Sequence, residues 1–412
     1  MRSEDRLRSL LREAQVPDAA AAERRGLLVV GKAFADRERP RRSPVPRVAL
    51  VLATVLALAA LVLSPAGAAV RSWVREVFTA STPTAAPALT EVPGGGRLLV
   101  DSADGAWVVQ PDGSRRLLGD YAQASWSPHG LFVAAVSGHT LSAIEPDGTA
   151  HWSLSAPGLV RDPSWSPSGF RIAYRSGAAL RVVVADGSGD GVLARRVAPV
   201  PPVWFPLGPD YLAYVDAGGR LQIRDTDSGA SLGSAPALPG TTKLDWSPDG
   251  STILEASPHS LRVRAASLTK IAGRIHLGAP REIPLPTHAT LVDAAFSSRT
   301  DANAVVHDLP AAGSRPSRSE LALIDPSGGG RRRLLSVPGS LAAALWSPDG
   351  SRLLVPWSDA DQWLFIPARG GRPGRAFGPV STEFAPGSRP KAASFPQLEG
   401  WCCPTRGAAG QG

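Results

Sequence analysis

Trp246-Ser247-Pro248-Asp249-Gly250 returns unchanged as Trp346-Ser347-Pro348-Asp349-Gly350. Trp126-Ser127-Pro128-His129-Gly130 and Trp165-Ser166-Pro167-Ser168-Gly169 each depart from it at one position. Two worn copies stand between them, Val203-Trp204-Phe205-Pro206-Leu207-Gly208-Pro209-Asp210 and Ala295-Phe296-Ser297-Ser298-Arg299-Thr300-Asp301. The aromatic anchors Trp126, Trp165, Trp204, Trp246, Phe296 and Trp346 lie 39, 39, 42, 50 and 50 residues apart. A period near 40 built of short strands is that of a propeller.

Each residue of the phrase has a physical task. Ser opens a turn, Pro presets φ at the second position, Asp suits the third, and Gly takes the left-handed fourth. The result is a type I turn running into a glycine bulge, a common tight hairpin connection. Small and apolar residues precede each anchor, as in Ala343-Ala344-Leu345-Trp346, and read as a short buried strand. An apolar run follows each glycine, such as Ile172-Ala173-Tyr174 or Leu353-Leu354-Val355, and reads as a second strand.

The phrase resembles the TolB-type, WD40-like propeller repeat, over about three quarters of the chain. The resemblance implies an all-β propeller and protein contacts across the blade faces. It carries over no single residue's role, because the shared motif is structural. Function has to be argued from a site.

Leu98-Leu99-Val100, Ala106-Trp107-Val108-Val109 and Arg115-Arg116-Leu117-Leu118 are three strands placed before the first phrase, so that blade lacks its innermost strand. Ala392-Ala393-Ser394-Phe395-Pro396 reads as the missing strand, with Phe395 as a seventh anchor. Pairing of the two chain ends then closes seven blades. Six blades with decorated ends is the alternative. The 50-residue steps mark insertions at 269–286 and 307–319, where long loops on a rigid scaffold can carry binding.

The chain has 412 residues and a net charge of +8, from 44 Lys and Arg against 36 Asp and Glu. Residues 1–47 hold 12 basic and seven acidic residues, so +5 belongs to them and +3 to everything after. The later part has no basic excess to neutralise phosphates, which argues against nucleic-acid binding. Within 3–37, Leu7, Leu10 and Leu11, then Leu27, Leu28, Val30 and Phe34, mark two short helices. They read either as a docking element for a cytoplasmic partner or as a solvated basic stalk.

Residues 48–70 are 23 without a charge, long enough to span a bilayer. Arg37, Arg39, Arg41, Arg42 and Arg47 precede them, and Arg71 and Arg75 follow. That asymmetry predicts a signal anchor with its N-terminus in the cytoplasm. A cleaved signal peptide would need a far shorter leading region than 47 residues. Residues 71–96 read as a juxtamembrane segment and a linker rich in Thr, Pro, Ala and Gly. The propeller is expected over 97–403, and 404–412 as a disordered tail.

The chemical motifs weigh little. Gly229-Ala230-Ser231-Leu232-Gly233 matches the nucleophile elbow, but it sits in a strand–turn–strand context instead of strand–turn–helix. Asp186-Gly187-Ser188-Gly189-Asp190-Gly191 opens like a calcium loop, yet Val197 stands where the bidentate Glu belongs. No two of the seven histidines have zinc-site spacing. No catalytic residue, metal or cofactor is therefore expected.

Cys402 and Cys403, the only cysteines, are adjacent. A vicinal disulfide is one reading; free thiols or pairing with another chain are the others. Trp357 and Trp363 bracket Asp359 and Asp361, an acidic loop with an aromatic rim and the best single candidate for a binding patch. The alternative is two strand residues around a turn.

The sequence thus predicts a membrane-anchored, extracytoplasmic, non-catalytic propeller that binds a protein in the cell envelope. A glycan or small ligand in the central funnel is a second class of partner. A transmembrane sensor, whose tail regulates a partner such as a sigma factor, is the rival. An enzyme working in the funnel ranks below both.

Overall fold

The computed structural model describes residues 87–268, 274–300, 302–313, 316–325, 330–369, 374–385 and 394–403. The helical segment at 1–47, the anchor at 48–70, the linker up to residue 86 and the tail at 404–412 lie outside the described residues. Among the described residues there is no α-helix, and none long and apolar enough to cross a membrane.

Seven four-stranded antiparallel sheets make up the described residues. Six are meanders from continuous chain: blade 2 (123–155), blade 3 (160–194), blade 4 (203–236), blade 5 (243–283), blade 6 (290–338) and blade 7 (345–377). Blade 1 takes three strands from 97–119 and its fourth, Gln397–Cys402, from the far end of the chain. The seven-bladed reading holds, and the two ends lock in one sheet.

Burial explains the sequence pattern. Second strands are sandwiched on both faces, so they run apolar without alternation: Ile172, Ala173 and Tyr174 are buried in succession, as are Leu353, Leu354 and Val355. Outer strands face solvent; Ala150–Ser155 has no buried residue. The core lies between blades. Ala134, Val136 and Leu141 of blade 2 pack on Trp165, Ile172 and Tyr174 of blade 3. Each anchor is a wedge in such a seam, and burying a large apolar side chain stabilises by about 1.5–3 kcal/mol.

The seventh anchor is Trp401, not Phe395. Trp165 pairs with Ile172, Trp246 with Ile253 and Trp346 with Leu353; in the same register Trp401 pairs with Leu98. Trp401 is buried and its indole N–H donates to Gly95 O at 2.8 Å. Phe395 precedes the strand and packs, half-buried, against the same core. The step from Trp346 to Trp401 is 55 residues, longer than any step between the earlier anchors.

Residues 87–96 are not free linker. Leu89 and Val92 are buried in the seam between blades 7 and 1, and Val92 N donates to Pro111 O at 2.9 Å. The insertion at 269–286 is not a loose loop either. It lengthens two strands of blade 5, Ser260–Leu268 and Ile275–Ile283, into a hairpin whose tip, 269–273, is outside the described residues.

Candidate functional site

The repeat turns build one face of the molecule. In the four best copies the Ser hydroxyl accepts the backbone N–H five residues on: Phe132 to Ser127 at 3.0 Å, Arg171 to Ser166 at 3.1 Å, Thr252 to Ser247 and Arg352 to Ser347 at 2.9 Å. The Gly N–H returns to the Ser carbonyl at 2.8–2.9 Å, and the four glycines have φ between 62° and 78°. The Asp of both perfect copies accepts from its Ser hydroxyl at 2.6 Å and from the backbone N–H two residues on at 3.0 Å. These carboxylates hold turns and are not poised for chemistry.

Neighbouring turns touch around the ring. Ser168 donates to Asp210 at 2.9 Å, joining blades 3 and 4, and Ser298 donates to Ser347 O at 3.1 Å, joining blades 6 and 7. A methyl group on Gly250 would run into the Phe205 ring of blade 4. The Cys402–Cys403 disulfide occupies the Ser-Pro positions of the seventh phrase. It lies against blade 2, with Cys402 Sγ 3.8 Å from Ser127 O. Bonded sulfurs carry no proton, so this is a packing contact. Arg97 secures the same corner, donating to Gly130 O at 2.6 Å with its guanidinium 4.8 Å from the Trp126 ring centroid.

The turn between the third and fourth strands of each blade lies on this same face. Ala185 N donates to Phe170 O at 2.9 Å in blade 3, and Thr226 N to Asp210 O at 3.1 Å in blade 4. Leu131, Phe170 and Leu207, on the repeat turns of blades 2, 3 and 4, stand out at 64%, 69% and 52% exposure. Blades 5 and 7 carry Ser251 and Ser351 after the phrase glycine. The lengthened strands of blade 5 lean on the outermost strand of blade 4, with Ile275 beside Leu232. Sequence reading passed over these residues because an apolar residue after a turn looks like the start of a strand; the signal was their position beside the phrase glycine.

The aromatic–acidic patch does not form. Trp363 is fully buried in the seam with blade 1. Asp361 accepts from Ser381 N at 2.8 Å and Ser381 Oγ at 2.7 Å, and Asp359 from Ser340 N at 2.8 Å. Trp357 donates to Pro338 O at 3.0 Å. Asp359, Asp361 and Trp357 brace loops, and Trp363 is core.

Several carboxylates on and beside the innermost strands are perturbed. Burial, then the negative charges of Asp101 and Asp162, push Glu399 up to about 7. Burial pushes Asp101 up to about 6. Burial raises Asp245 to about 6 against the pull of Lys243. Burial works against the Lys243 charge too, but Asp293, 2.5 Å away, and Asp245 outweigh it and hold its pKa above the ordinary value. Asp245 and Asp293 also accept backbone N–H groups of the next blade, Phe296 at 2.7 Å and Ala344 at 3.0 Å, so they stitch inner strands together. Fully buried Glu255 is satisfied by Arg262 and Arg264 of blade 5 and by Leu238 N of the connection from blade 4. Among the described residues no three His, Cys, Asp or Glu are placed to hold a metal.

No family model matches the chain, and no curated protein does. Solved structures do. The β-propeller domain of Myceliophteria thermophila Cps50 (Swd1) aligns with a TM-score of 0.51 at 15% identity, covering 68% of this chain and 98% of that one. A chain of the mitotic checkpoint complex aligns with a TM-score of 0.50 at 16% identity, over 69% and 90%. Kuenenia stuttgartiensis hydrazine synthase aligns with a TM-score of 0.49 at 16% identity, over 60% and 76%. The first two likenesses show the WD40-like propeller fold. The expectation that the chain is not an enzyme is corrected: an enzyme stands among the matched folds. That likeness transfers no activity, since one fold hosts catalysts and scaffolds alike.

Proposed function

We propose that the chain is a membrane-anchored, extracytoplasmic propeller of TolB-type repeats that binds a protein partner on its repeat-turn face. One observation carries the binding reading: Leu131, Phe170 and Leu207 are exposed on three consecutive repeat turns, the last two joined by the Ser168–Asp210 hydrogen bond. Scattered exposed apolar residues need no explanation, whereas a contiguous arc on one face marks an interaction site. Rigid backbone beneath the arc keeps the entropic cost of docking low. The anchor and its orientation rest on the uncharged 48–70 stretch and the arginines before it.

Crosslinking and affinity capture from membranes test this reading, comparing the full chain, a chain lacking residues 1–45, and the double variant Leu131→Ser/Phe170→Ser. Capture of one protein by the first two and its loss from the third is expected. A partner lost with the tail and kept by the double variant would favour the sensor. A reporter fused after residue 403 that is active in the cytoplasm would overturn the orientation.

A further inference from the structure

The apolar arc has an acidic border. On blades 1 to 4 the turn between the third and fourth strands carries Asp112, Asp147, Asp186, and Asp225 with Asp227. These turns share the face with the arc and lie about two strand spacings, roughly 10 Å, outward from it. Asp112 accepts from Ser114 N at 3.0 Å and Ser114 Oγ at 2.7 Å, Asp186 from Ser188 N at 2.9 Å and Ser188 Oγ at 2.6 Å, and Asp147 from Thr149 N at 2.8 Å. Donors aimed at a carboxylate favour its charged form. Asp227 is joined to Arg171 of blade 3.

Of the eight exposed large apolar residues among those described, Leu131, Phe170 and Leu207 stand on the repeat turns; Leu117 and Val192 lie on the outer strands of blades 1 and 3, Leu159 in the connection between blades 2 and 3, and Val292 on blade 6. Leu268 is the last described residue before the tip of the blade 5 hairpin, on the same face. The surface is an apolar strip with carboxylates along its outer edge.

We infer that the occupant of this face is a basic amphipathic protein segment. Its apolar side chains cover Leu131, Phe170 and Leu207, and its Lys or Arg residues meet the Asp112 and Asp186 carboxylates. The inference rests on the docking reading above and adds the chemistry of the partner. An acidic segment would place like charges together, which costs affinity and slows association. The same border sets an anionic lipid surface against the face, so a membrane is the poorer occupant.

The test places a photo-crosslinking amino acid at position 170 of the full chain in its native membrane and sequences the crosslinked peptides. Crosslinks to one segment with Lys or Arg flanking apolar residues are expected. The synthetic peptide of that segment should bind the purified full chain, weaken about tenfold or more with Leu131→Ser/Phe170→Ser, and weaken about threefold to tenfold with Asp112→Asn/Asp186→Asn. Raising salt from 50 to 300 mM should weaken the wild type more than the Asn variant. Crosslinks to a neutral or acidic segment would overturn the basic partner and leave the docking reading standing. Crosslinks to no protein, or binding to phosphatidylglycerol vesicles that Leu131→Ser/Phe170→Ser abolishes, would overturn both.

Discussion

Gly250 and Gly240 both sit at positive φ, 68° and 70°, but their surroundings differ. A methyl group on Gly250 meets the Phe205 ring of the preceding blade, while Gly240 faces open space. Gly240→Ala should cost about 1 kcal/mol, the strain of a left-handed alanine alone. Gly250→Ala should cost at least about 1 kcal/mol more, read from the shift of the urea midpoint at unchanged slope. Glu399 offers a test of charge. Its pKa of about 7 lies above the ordinary 4.5, so its protonated form is favoured by folding. That stability is complete below about pH 4.5 and is lost as pH rises through about 7. Glu399→Gln should therefore match the wild type near pH 4.5 and exceed it at pH 8, by at most about 3 kcal/mol. Equal melting curves at pH 8 would show that the carboxylate is solvated.

Among the elements, the strand Gln397–Cys402 has the largest consequence because it pairs with Arg97–Ser102 across the whole chain. Its wedge is Trp401. Trp401→Ala should destabilise by about 3–5 kcal/mol, as for other buried tryptophans, and Phe395→Ala by clearly less. The reverse order in chemical denaturation would restore Phe395 as the seventh anchor. The anchors before it were legible because each is followed by its own turn and second strand. At Trp401 the second strand is Arg97–Ser102, at the other end of the chain, so the phrase decays to Trp401-Cys402-Cys403 and its period stretches. The patch around Trp357 and Trp363 failed for a related reason. An aromatic residue beside a turn points outward or into the next seam according to the packing of the neighbouring blade, which no local spacing encodes.

At the scale of the molecule, seven seams hold one ring, and the docking arc contributes to none of them. Leu131→Ser/Phe170→Ser should leave the melting temperature within about 2 °C of the wild type, since exposed substitutions usually change stability by less than about 0.5 kcal/mol. A larger drop, followed by circular dichroism, would mean that these side chains support the seams and are not free to meet a partner. The asymmetry of the ring was invisible in one dimension. Leu131, Phe170 and Leu207 lie about 39 residues apart, and Asp112, Asp147, Asp186 and Asp227 belong to different hairpins. Only the meander brings first and third turns to one face.

By itself the sequence determined the repeat, the turn chemistry and the six blades of continuous chain, and it left the choice between six and seven to the pairing of the chain ends. Those follow from local rules: a proline that fixes φ, a glycine that takes the left-handed turn, and apolar runs long enough for one strand. The tertiary structure decided which aromatic closes the ring, that Leu89 and Val92 belong to a seam, and that Trp363 is buried. It also decided that an apolar arc with an acidic border occupies one face. Each of these depends on pairing between residues far apart in the chain, and sequence period carries no information about what the neighbouring blade places opposite.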